Sequence, residues 1–466
     1  MYWVILKDMK ILFIVKDMEY ESIGIMTLSA VLRKAGHDTF ALCTQYEKDL
    51  FNEIQKIKPD IIGYSTTTGA HSFYIDLNRE LKGKLDFISI FGGPHPTFFP
   101  EMLKEEGVDS ICLGEGEETI IEFVDAVSNN REFDGIKNLY FKKSDIIIKN
   151  EFRPFLQDLD SIPFPDRDIF RKYADRLPSP YRVFITGRGC PYSCSYCFNH
   201  AYKKLFTGKY IRHRDVELVI KEIEEVRRNG KLKVCGFLDD TFTINKKWLS
   251  EFCNFFKRDV RLPFFCHLRA DLVDADIARL LADAGCIAGV IGIETGSYKM
   301  RREILKKNIK DEEILSAAEH LKDNGIRVIT QNMIGIPDDT PENVLKMAKL
   351  NSIIKSNHMN LYFYQPYPKT DLCRLSVDKG LYNGSVDEIG PSYSAYDSDI
   401  ILDLKNREDL LIIASLFHLI VRVPVFQKVL SILLRKKILK HLLLSLKPLD
   451  SYFRKRDYMN VDKYIN

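Results

Sequence analysis

Short apolar runs that alternate with amphipathic helical stretches are the feature of this 466-residue chain that most restricts its fold. The first run, Ile-Leu-Phe-Ile-Val at residues 11–15, precedes a helical stretch at 25–35. Strands are also predicted at 39–43, 61–65, 87–91 and 110–113. Continuously apolar strands are buried on both faces, and strands that alternate with helices form parallel sheets. Residues 1–145 are therefore predicted to form a doubly wound, Rossmann-like α/β domain.

A second series of strands and helices begins near residue 182. Apolar runs at 182–186, 234–238 and 264–269 are followed by strand-and-turn runs at 288–297, 327–337 and 359–368. Helical patterns separate them, for example at 216–228 and 272–284. Six strand–helix units of this kind predict a partial (β/α)6 barrel over residues 181–400, with its functional groups at the carboxyl ends of the strands.

The segments around the barrel differ in composition. Five prolines punctuate residues 151–180, so 146–180 is interpreted as a linker between domains. Residues 401–466 are predicted to form a small helical C-terminal region. Within it, residues 411–449 carry seven basic and no acidic residues among many large apolar ones. This basic amphipathic composition suits an anionic membrane surface, or helices that pack on the barrel and cover apolar surface with lysine stems.

Composition bounds the compartment and the partners. Hydrophobic residues make up 45% and charged residues 29%, as in an ordinary globular protein. The net charge of +3 gives no argument for a nucleic acid partner, and none is expected. Ten cysteines with one cluster favour a reducing, cytoplasmic location. No apolar stretch reaches the roughly 18 residues of a membrane-spanning helix.

Cys190, Cys194 and Cys197 form that cluster, with C-x3-C-x2-C spacing in a loop after the first barrel strand. Thiolates so close in sequence can bind one soft metal centre. A complete four-iron cluster usually takes four cysteines, so three would leave one iron open for a substrate or cofactor. A zinc site completed by His200 is the alternative, because a closed zinc site needs a fourth ligand. Three unrelated core cysteines fit the polar surroundings less well.

Glycines and hydroxyls follow three strands of the first domain. They occur in the runs Ser65-Thr-Thr-Thr-Gly69, Gly92-Gly-Pro-His-Pro-Thr97 and Gly114-Glu-Gly-Glu117. In a doubly wound sheet the ligand lies beyond the carboxyl ends of the strands. Glycines let the backbone approach a ligand closely, although tight strand-to-helix turns would explain each loop on its own.

Polar residues also follow the barrel strands. Asp239 and Asp240 end the second strand and suit an amine ligand, or they cap the next helix. Glu294 ends the fourth strand, where a lone carboxylate is costly to bury without a partner. Gly335 lies in the turn after the fifth strand.

The cysteine loop, with Tyr196 before its last cysteine, resembles that of the radical S-adenosylmethionine (SAM) enzymes, and the three loops of the first domain resemble those of the members that bind cobalamin (B12). The resemblance implies a [4Fe–4S] cluster on the three cysteines. It implies SAM at the second strand end, through Asp239 and Asp240, at Glu294 near the ribose, and at Gly335 near the adenine. It implies cobalamin in the first domain, where the candidate contacts are Ser65, Thr66, Gly92, Gly93, Gly114 and Gly116.

The family's Asp-x-His-x-x-Gly motif, whose histidine binds cobalt, is absent from this sequence. The resemblance therefore implies either cobalamin bound without that histidine or a relic domain. The implied reaction is methylation of an unactivated carbon, in which a radical from SAM removes a hydrogen and methylcobalamin supplies the methyl group. The alternatives are oxidative cyclisation or rearrangement without methyl transfer, and a cofactor-binding sensor without turnover.

The partners that the resemblance implies are a small-molecule or lipid-like substrate and an electron donor such as a flavodoxin or ferredoxin. Peripheral membrane contact through residues 411–449 is expected if the basic amphipathic composition serves a lipid surface. The sequence does not name the substrate.

Overall fold

The computed structural model divides the chain into two compact units. The first comprises Met1–Pro178 and Tyr202–Arg212, and the second comprises Ser179–Ala201 and His213–Asn466. The structure describes residues 8–18, 21–144, 146–176, 181–230, 232–390, 398–427, 430, 443 and 445–462.

The first unit contains a sheet of seven strands among its described residues, in the order β2-β1-β3-β4-β5-β6-β7. The strands are β1 (Lys10–Val15), β2 (Asp38–Cys43), β3 (Ile61–Ser65), β4 (Ile88–Gly92), β5 (Ser110–Cys112), β6 (Leu139–Lys143) and β7 (Ile146–Lys149). The helices are α1 (Ile23–Lys34), α2 (Leu50–Ile57), α3 (His71–Lys82), α4 (Pro94–Phe98) and α5 (Glu117–Ser128). Strands β1 to β5 are parallel, which confirms the predicted doubly wound sheet.

Burial of this sheet on both faces follows from its apolar strands. In β1, Ile11 and Phe13 join one hydrophobic core, whereas Leu12 and Ile14 join another. The strand order reverses between β1 and β3, and ligands of such sheets bind beside that reversal. The loops after β3, β4 and β5 therefore lie along the edge where a ligand is expected.

The antiparallel hairpin of β6 and β7 is a difference from the predicted organisation. β6 pairs antiparallel with β5, and β7 with β6. β7 begins at Ile146, inside the range interpreted as a linker, because the run Ile146-Ile-Ile148 favours a strand. The sheet therefore extends into that range.

A short return segment, Tyr202–Arg212, belongs to the first unit. Phe206 packs against Phe155 and Phe152, with ring centroids 5.5 and 5.0 Å apart. The buried Arg212 donates to Glu115 Oε2 at 2.9 Å and to the Leu156 carbonyl at 2.7 Å. Aromatic packing and a buried ion pair thus fix the segment to this unit.

The second unit contains a six-stranded parallel sheet in its described part, in the order β15-β14-β13-β12-β11-β8. The remaining strands of the chain are β8 (Tyr181–Phe184), β9 (Gly187–Arg188), β10 (Arg212–His213), β11 (Val234–Phe237), β12 (Phe264–Leu268), β13 (Cys286–Glu294), β14 (Arg327–Ile334) and β15 (His358–Phe363). The remaining described helices of the chain are α6 (Asn199–Leu205), α7 (Val216–Asn229), α8 (Lys246–Phe255), α9 (Ala275–Asp283), α10 (Tyr298–Glu303), α11 (Asp311–Asp323), α12 (Pro341–Ile354), α13 (Asp371–Asp378), α14 (Arg407–Ser415), α15 (Phe417–Arg422) and α16 (Lys447–Asp462). The partial barrel of six strands is thereby confirmed.

Capping side chains decide where several barrel helices begin. Asp215 accepts hydrogen bonds from the second and third amides of α7, and Thr340 caps α12, which starts at Pro341. Asp274 caps α9 through the Ile277 amide at 2.9 Å. Helix α9 therefore starts at Ala275, later than predicted, because this aspartate ends the preceding turn.

The C-terminal helices pack on the barrel where the structure describes them. Leu410, Ile413, Phe417 and Ile420 lie in the same hydrophobic core as the barrel strands. Asp450 accepts from the Leu419 amide at 2.9 Å, so α16 caps α15. No helix among the described residues is long and apolar enough to span a membrane.

Only part of the basic tail lies within the described residues. Arg422 does, and its guanidinium pairs with Asp457 at 2.8 Å and donates to the Ser356 carbonyl at 2.7 Å. Lys447 begins α16. Five basic residues of the predicted membrane-binding segment lie outside the described residues, namely Lys428, Arg435, Lys436, Lys437 and Lys440. Membrane contact therefore stays a prediction.

Candidate functional site

The cysteine loop follows β8 and is held by its backbone. Ser195 donates its amide to the Leu305 carbonyl at 2.9 Å and its hydroxyl to the Ile304 carbonyl at 2.6 Å. The Ser195 carbonyl accepts from the Leu372 amide at 2.9 Å, and the Cys197 amide donates to the Cys194 carbonyl at 3.1 Å. The protein chain itself thus sets the shape of the loop, and all three cysteines in it are free thiols.

The surroundings of these thiols fit sulfur that carries negative charge. Thr241 Oγ1 lies 3.6 Å from Cys190 Sγ, and Arg269 Nη1 lies 3.9 Å from Cys194 Sγ. Burial raises the pKa of Cys190, and it raises the pKa of Cys197 to about 12, so these thiols are neutral unless a metal displaces their protons. Hydrogen bonds to cluster sulfurs are a normal part of iron–sulfur sites. The loop therefore fits an iron–sulfur cluster.

The zinc alternative depends on His200, whose Nε2 is engaged while its buried Nδ1 has no hydrogen-bond partner among the described residues. Its Nε2 accepts from the Asp371 amide at 3.1 Å, and it lies 3.5 Å from Asp371 Oδ1. In the part of the chain that the structure describes, no three His, Cys, Asp or Glu side chains are grouped to hold a metal ion. A zinc ion needs its ligands around one point, whereas a four-iron cluster spreads its thiolates over several irons.

Arg269 is a neighbour of the cluster loop that the sequence analysis did not single out. It follows β12, and its guanidinium carbon lies 3.4 Å from the centre of the Tyr192 ring. Asp271 pairs with it at 2.9 Å. A buried arginine that stacks on the loop and reaches a cysteine both positions the loop and supplies positive charge.

Asp239 is buried at the end of β11, as its sequence position predicts. Its Oδ1 accepts from the amide of Thr186 at 3.0 Å and from the hydroxyl of Thr186 at 2.8 Å. Its Oδ2 is buried and has no hydrogen-bond partner among the described residues. Burial raises the pKa of Asp239 to about 7. An unpartnered carboxylate oxygen of this kind is ready for an N–H donor of a ligand.

Asp240 lies next to the cysteine loop. The Asp240 carboxylate accepts a hydrogen bond from the Asn199 side chain, and the Asp240 carbonyl accepts from Thr241 Oγ1 at 2.7 Å. Since Thr241 also contacts Cys190, the end of β11 and the cluster loop form one site.

The Glu294 carboxylate is buried and hydrogen-bonded, and these bonds offset the free-energy cost of burying a lone carboxylate. Its Oε1 accepts from the Tyr196 hydroxyl at 3.0 Å and from Lys307 Nζ at 2.8 Å. Its backbone has a φ of +65°, a left-handed conformation that is uncommon for residues other than glycine. Tyr196 belongs to the cluster loop, so the structure joins that loop to the end of β13. Lys307 lies in no sequence motif, and its spacing from Glu294 matches no pattern that would have marked it.

Gly335 has a different set of neighbours. Its amide donates to Asp339 Oδ2 at 3.0 Å, and its φ is +82°. A side chain at this position would approach Ile400 to 3.1 Å. The local turn and Ile400 already explain the glycine, so its contact with SAM stays a prediction.

The loops after β3 and β4 are joined in the first unit. The Thr66 amide donates to the Gly92 carbonyl at 2.8 Å, and the His95 amide donates to the Thr66 carbonyl at 2.9 Å. A Cβ at Gly93 would lie 2.9 Å from the Thr66 backbone, whereas Gly92 faces open space. Ser65 is exposed.

Two buried polar atoms of these loops, Thr66 Oγ1 and His95 Nε2, have no partner among the described residues. The His95 ring stacks on His71 with centroids 4.1 Å apart, and burial lowers the pKa of His95 to about 3. These neutral polar atoms at the carboxyl edge of the sheet fit a ligand rich in amides, as cobalamin is.

Gly114 and Gly116 are closely packed by the chain itself. The Phe206 ring occupies the space that a Cβ at Gly114 would need, and Cys112 Sγ lies 3.4 Å from that position at Gly116. The Gly114 amide donates to Thr97 Oγ1 at 2.9 Å, which ties this loop to the one after β4. The three predicted loops are thus neighbours, while their contact with cobalamin stays a prediction.

Two family models match the chain. The B12 binding domain matches residues 9–124, and the Radical SAM superfamily matches residues 184–350. Each match falls on one of the two sheets described above.

Similar proteins cover most of the chain. The uncharacterized methyltransferase PH0819 of Pyrococcus horikoshii is 31% identical over 370 residues, which are 77% of this chain and 79% of that protein. The anaerobic magnesium-protoporphyrin IX monomethyl ester cyclase of Rubrivivax gelatinosus is 29% identical over 72% of this chain, which spans 61% of that protein. The solved structure of TsrM from Kitasatospora setae, a radical S-adenosylmethionine methyltransferase with cobalamin and a [4Fe–4S] cluster bound, has a TM-score of 0.67 at 15% identity, and the match covers 80% of this chain and 78% of TsrM. TsrM therefore shares the fold.

Proposed function

Because the chain belongs to the radical SAM enzymes that carry a B12-binding domain, we propose that it methylates an unactivated carbon of a small-molecule or lipid-like substrate. The observation that carries this proposal is the set of free thiols whose loop is hydrogen-bonded to the ends of two barrel strands. When bound, the cluster and SAM would supply a carbon radical, and cobalamin would supply the methyl group.

The roles proposed for the chain's own residues follow from their contacts. Cys190, Cys194 and Cys197 hold the cluster. Asp239 offers its unpartnered Oδ2 to the amino group of SAM, and Glu294 offers to the ribose the oxygen that Tyr196 and Lys307 do not occupy. These residues bind and orient the ligand.

In the first unit we propose that cobalamin lies at the carboxyl edge of the sheet. Thr66 Oγ1 and His95 Nε2 are the unpartnered atoms there, and Gly92 leaves open space above the end of β4. Because the sequence lacks the Asp-x-His-x-x-Gly motif, we propose that cobalamin binds here without a histidine from that motif.

Oxidative cyclisation is the second candidate, and the similarity to the magnesium-protoporphyrin cyclases favours it. Methylation is preferred because PH0819, named a methyltransferase, is more similar and is covered over more of its length. An electron donor such as a flavodoxin or ferredoxin is proposed because reductive cleavage of SAM consumes an electron.

Peripheral membrane contact through residues 411–449 is the further proposal on location. The seven basic and no acidic residues of this segment support it, since attraction to anionic lipid contributes about 1 kcal/mol per nearby Lys or Arg. Arg422 is not included in this proposal, because it forms an ion pair with Asp457.

The test is anaerobic reconstitution of the full chain with iron, sulfide and cobalamin. The protein is then given a reductant, cell extract and SAM with an isotopically labelled methyl group. Labelled methyl in an extract component, together with 5′-deoxyadenosine, supports methylation. Formation of 5′-deoxyadenosine without labelled product favours cyclisation, and a protein that leaves SAM intact contradicts both enzyme readings.

A further inference from the structure

Lys307 is a buried lysine that lies outside every motif of the sequence. Its residue exposure is 6%. The Nζ atom donates to Glu294 Oε1 at 2.8 Å, the same oxygen that accepts from the Tyr196 hydroxyl at 3.0 Å. A lysine is almost never buried unless it is paired, so the ion pair with Glu294 accounts for the burial of this ammonium group.

The strand makes room for this pair. A Cβ at Gly292 would collide with Glu294 Oε1 and with Lys307 Nζ. The register of β13 against β14 also shifts between Gly292 and Glu294, as at a β-bulge or a similar irregularity. Bulges re-aim side chains and are frequent beside active sites. The bare backbone at 292 and the register shift together let Lys307 reach the carboxylate across the end of the strand.

A buried arginine holds the segment that delivers Lys307. Arg301 is fully buried and donates from Nε to the Ile309 carbonyl at 2.9 Å and from Nη1 to the Thr295 carbonyl at 2.8 Å. Its Nη2 pairs with Asp311. The Lys307 amide donates to the Arg301 carbonyl at 2.8 Å. These bonds close residues 295–311 into a fixed arm.

Backbone conformation points the same way. Glu294 has a left-handed φ of +65°, although it is not a glycine. Such conformations persist only where the surroundings determine them, and they cluster at ligand sites. The end of β13 is thus held in a conformation that its local sequence disfavours.

We propose that Lys307 is a positioning residue for SAM, which it serves through Glu294. Two donors on Oε1 fix the carboxylate, and neither of them occupies Oε2, which is left for a ligand hydroxyl pair. The Tyr196 hydroxyl carries the same constraint into the cluster loop. Lys307 therefore couples nucleoside binding to the loop that holds the iron. This inference rests on the proposed function and deepens it.

The test compares Lys307→Met, Lys307→Arg and Lys306→Met in the reconstituted, cobalamin-loaded protein. Lys306 is the matched control because it is the adjacent lysine, half exposed and paired with Asp371. The measurements are the iron content, the affinity for labelled SAM and the change in the electron paramagnetic resonance spectrum of the reduced cluster when SAM is added.

We expect Lys307→Met to keep its iron and to lose SAM affinity on the order of tenfold or more, because it removes a charge-assisted hydrogen bond. The spectral change on adding SAM should shrink with it. Lys307→Arg should recover most of both, and Lys306→Met should equal the unchanged protein. Normal SAM affinity and an unaltered spectrum in Lys307→Met would overturn the proposal.

A double variant keeps the test decisive if Lys307→Met alone unfolds. Glu294→Gln with Lys307→Met removes both buried charges together. If Lys307 acts through Glu294, the double variant binds SAM as weakly as Glu294→Gln alone, whereas independent action would multiply the two losses. If the unchanged protein fails to bind or cleave SAM, the proposed function fails. If it does both and Lys307→Met matches it, only this inference fails.

Discussion

Two buried carboxylates at the barrel's strand ends share one arrangement, in which the protein fixes one oxygen and leaves the other. In Asp239 the fixed oxygen accepts twice from Thr186, and in Glu294 it accepts from Tyr196 and Lys307. A buried polar atom without a partner, such as Asp239 Oδ2, costs free energy, so it is expected where a ligand supplies the missing bond. Single residues thus indicate where the ligand's polar groups lie.

Replacement of Cys194 by alanine tests the cluster loop. We expect Cys194→Ala to lose the visible absorbance of the cluster and the cleavage of SAM, because one of three thiolate ligands is gone. Cys373→Ala is the control, since Cys373 is a free thiol in α13 and should leave both unchanged. Retained cleavage by Cys194→Ala would contradict the whole functional proposal.

The pH dependence of SAM binding tests Asp239. Burial raises the pKa of Asp239 to about 7, so the acceptor form is lost as the pH falls through neutrality. We expect SAM affinity to rise by roughly tenfold between about pH 6 and about pH 8, as the carboxylate fraction does. The amino group of SAM adds its own dependence, so the readout is the difference from Asp239→Asn. An equal slope in both proteins would remove Asp239 from the site.

At the level of elements, the loops after β3, β4 and β5 form one connected surface. Backbone bonds join Thr66 to Gly92, and the Thr97 hydroxyl joins Gly93 to Gly114. The glycines of these loops serve different purposes, because Gly93 and Gly114 are crowded by the protein whereas Gly92 is open. Only the open position gives a ligand direct access to the backbone.

Paired variants of the two adjacent glycines test the cobalamin site. We expect Gly92→Leu to fold normally but to lose cobalamin, since its side chain would project into the open space above β4. Gly93→Ala has a φ of +95° and no room, so it should lower the free energy of unfolding by about 1–3 kcal/mol. Thermal unfolding and cobalamin absorbance measure both. Normal cobalamin binding by Gly92→Leu would place the site elsewhere.

Elements that depend on consecutive residues could be predicted from the sequence, whereas contacts between residues far apart in the sequence could not. Runs such as residues 11–15 fixed β1 to within one residue, because burial of a whole strand is written in consecutive positions. The β6–β7 hairpin was not predicted, because a chain of alternating strands and helices favours parallel crossovers. Phe206 was not predicted because its partner Gly114 is far away in sequence, and Lys307 was not predicted because no local pattern links it to Glu294, 13 residues earlier.

At the level of the whole molecule, the C-terminal region combines helices that pack on the barrel with a basic segment proposed to contact lipid. Its described helices bury Leu410 and Phe417 in the barrel core, so deleting residues 401–466 should expose apolar surface and lower the soluble yield. The basic residues from 428 to 440 lie outside the described residues and remain candidates for lipid contact.

Vesicle sedimentation separates these two roles. We expect the full chain to pellet with anionic vesicles at low salt and less so at high salt, because screening weakens surface charge attraction. Lys436→Glu with Lys437→Glu should reduce pelleting, whereas Lys257→Glu, at an exposed lysine paired with Asp283, should not. A folded protein that stays in the supernatant under all conditions would leave the tail as a structural cap.

The path of the chain between its units bears on how such genes recombine. Residues Tyr202–Arg212 return to the first unit after the cluster loop, and there Phe206 covers Gly114 and Arg212 pairs with Glu115. A chimera made by a single crossover between residues 178 and 202 would take the first sheet from one parent. It would take the segment Tyr202–Arg212, with Phe206, from the other parent. Viable chimeras between relatives should therefore need two exchanged segments, one up to Pro178 and one over Tyr202–Arg212.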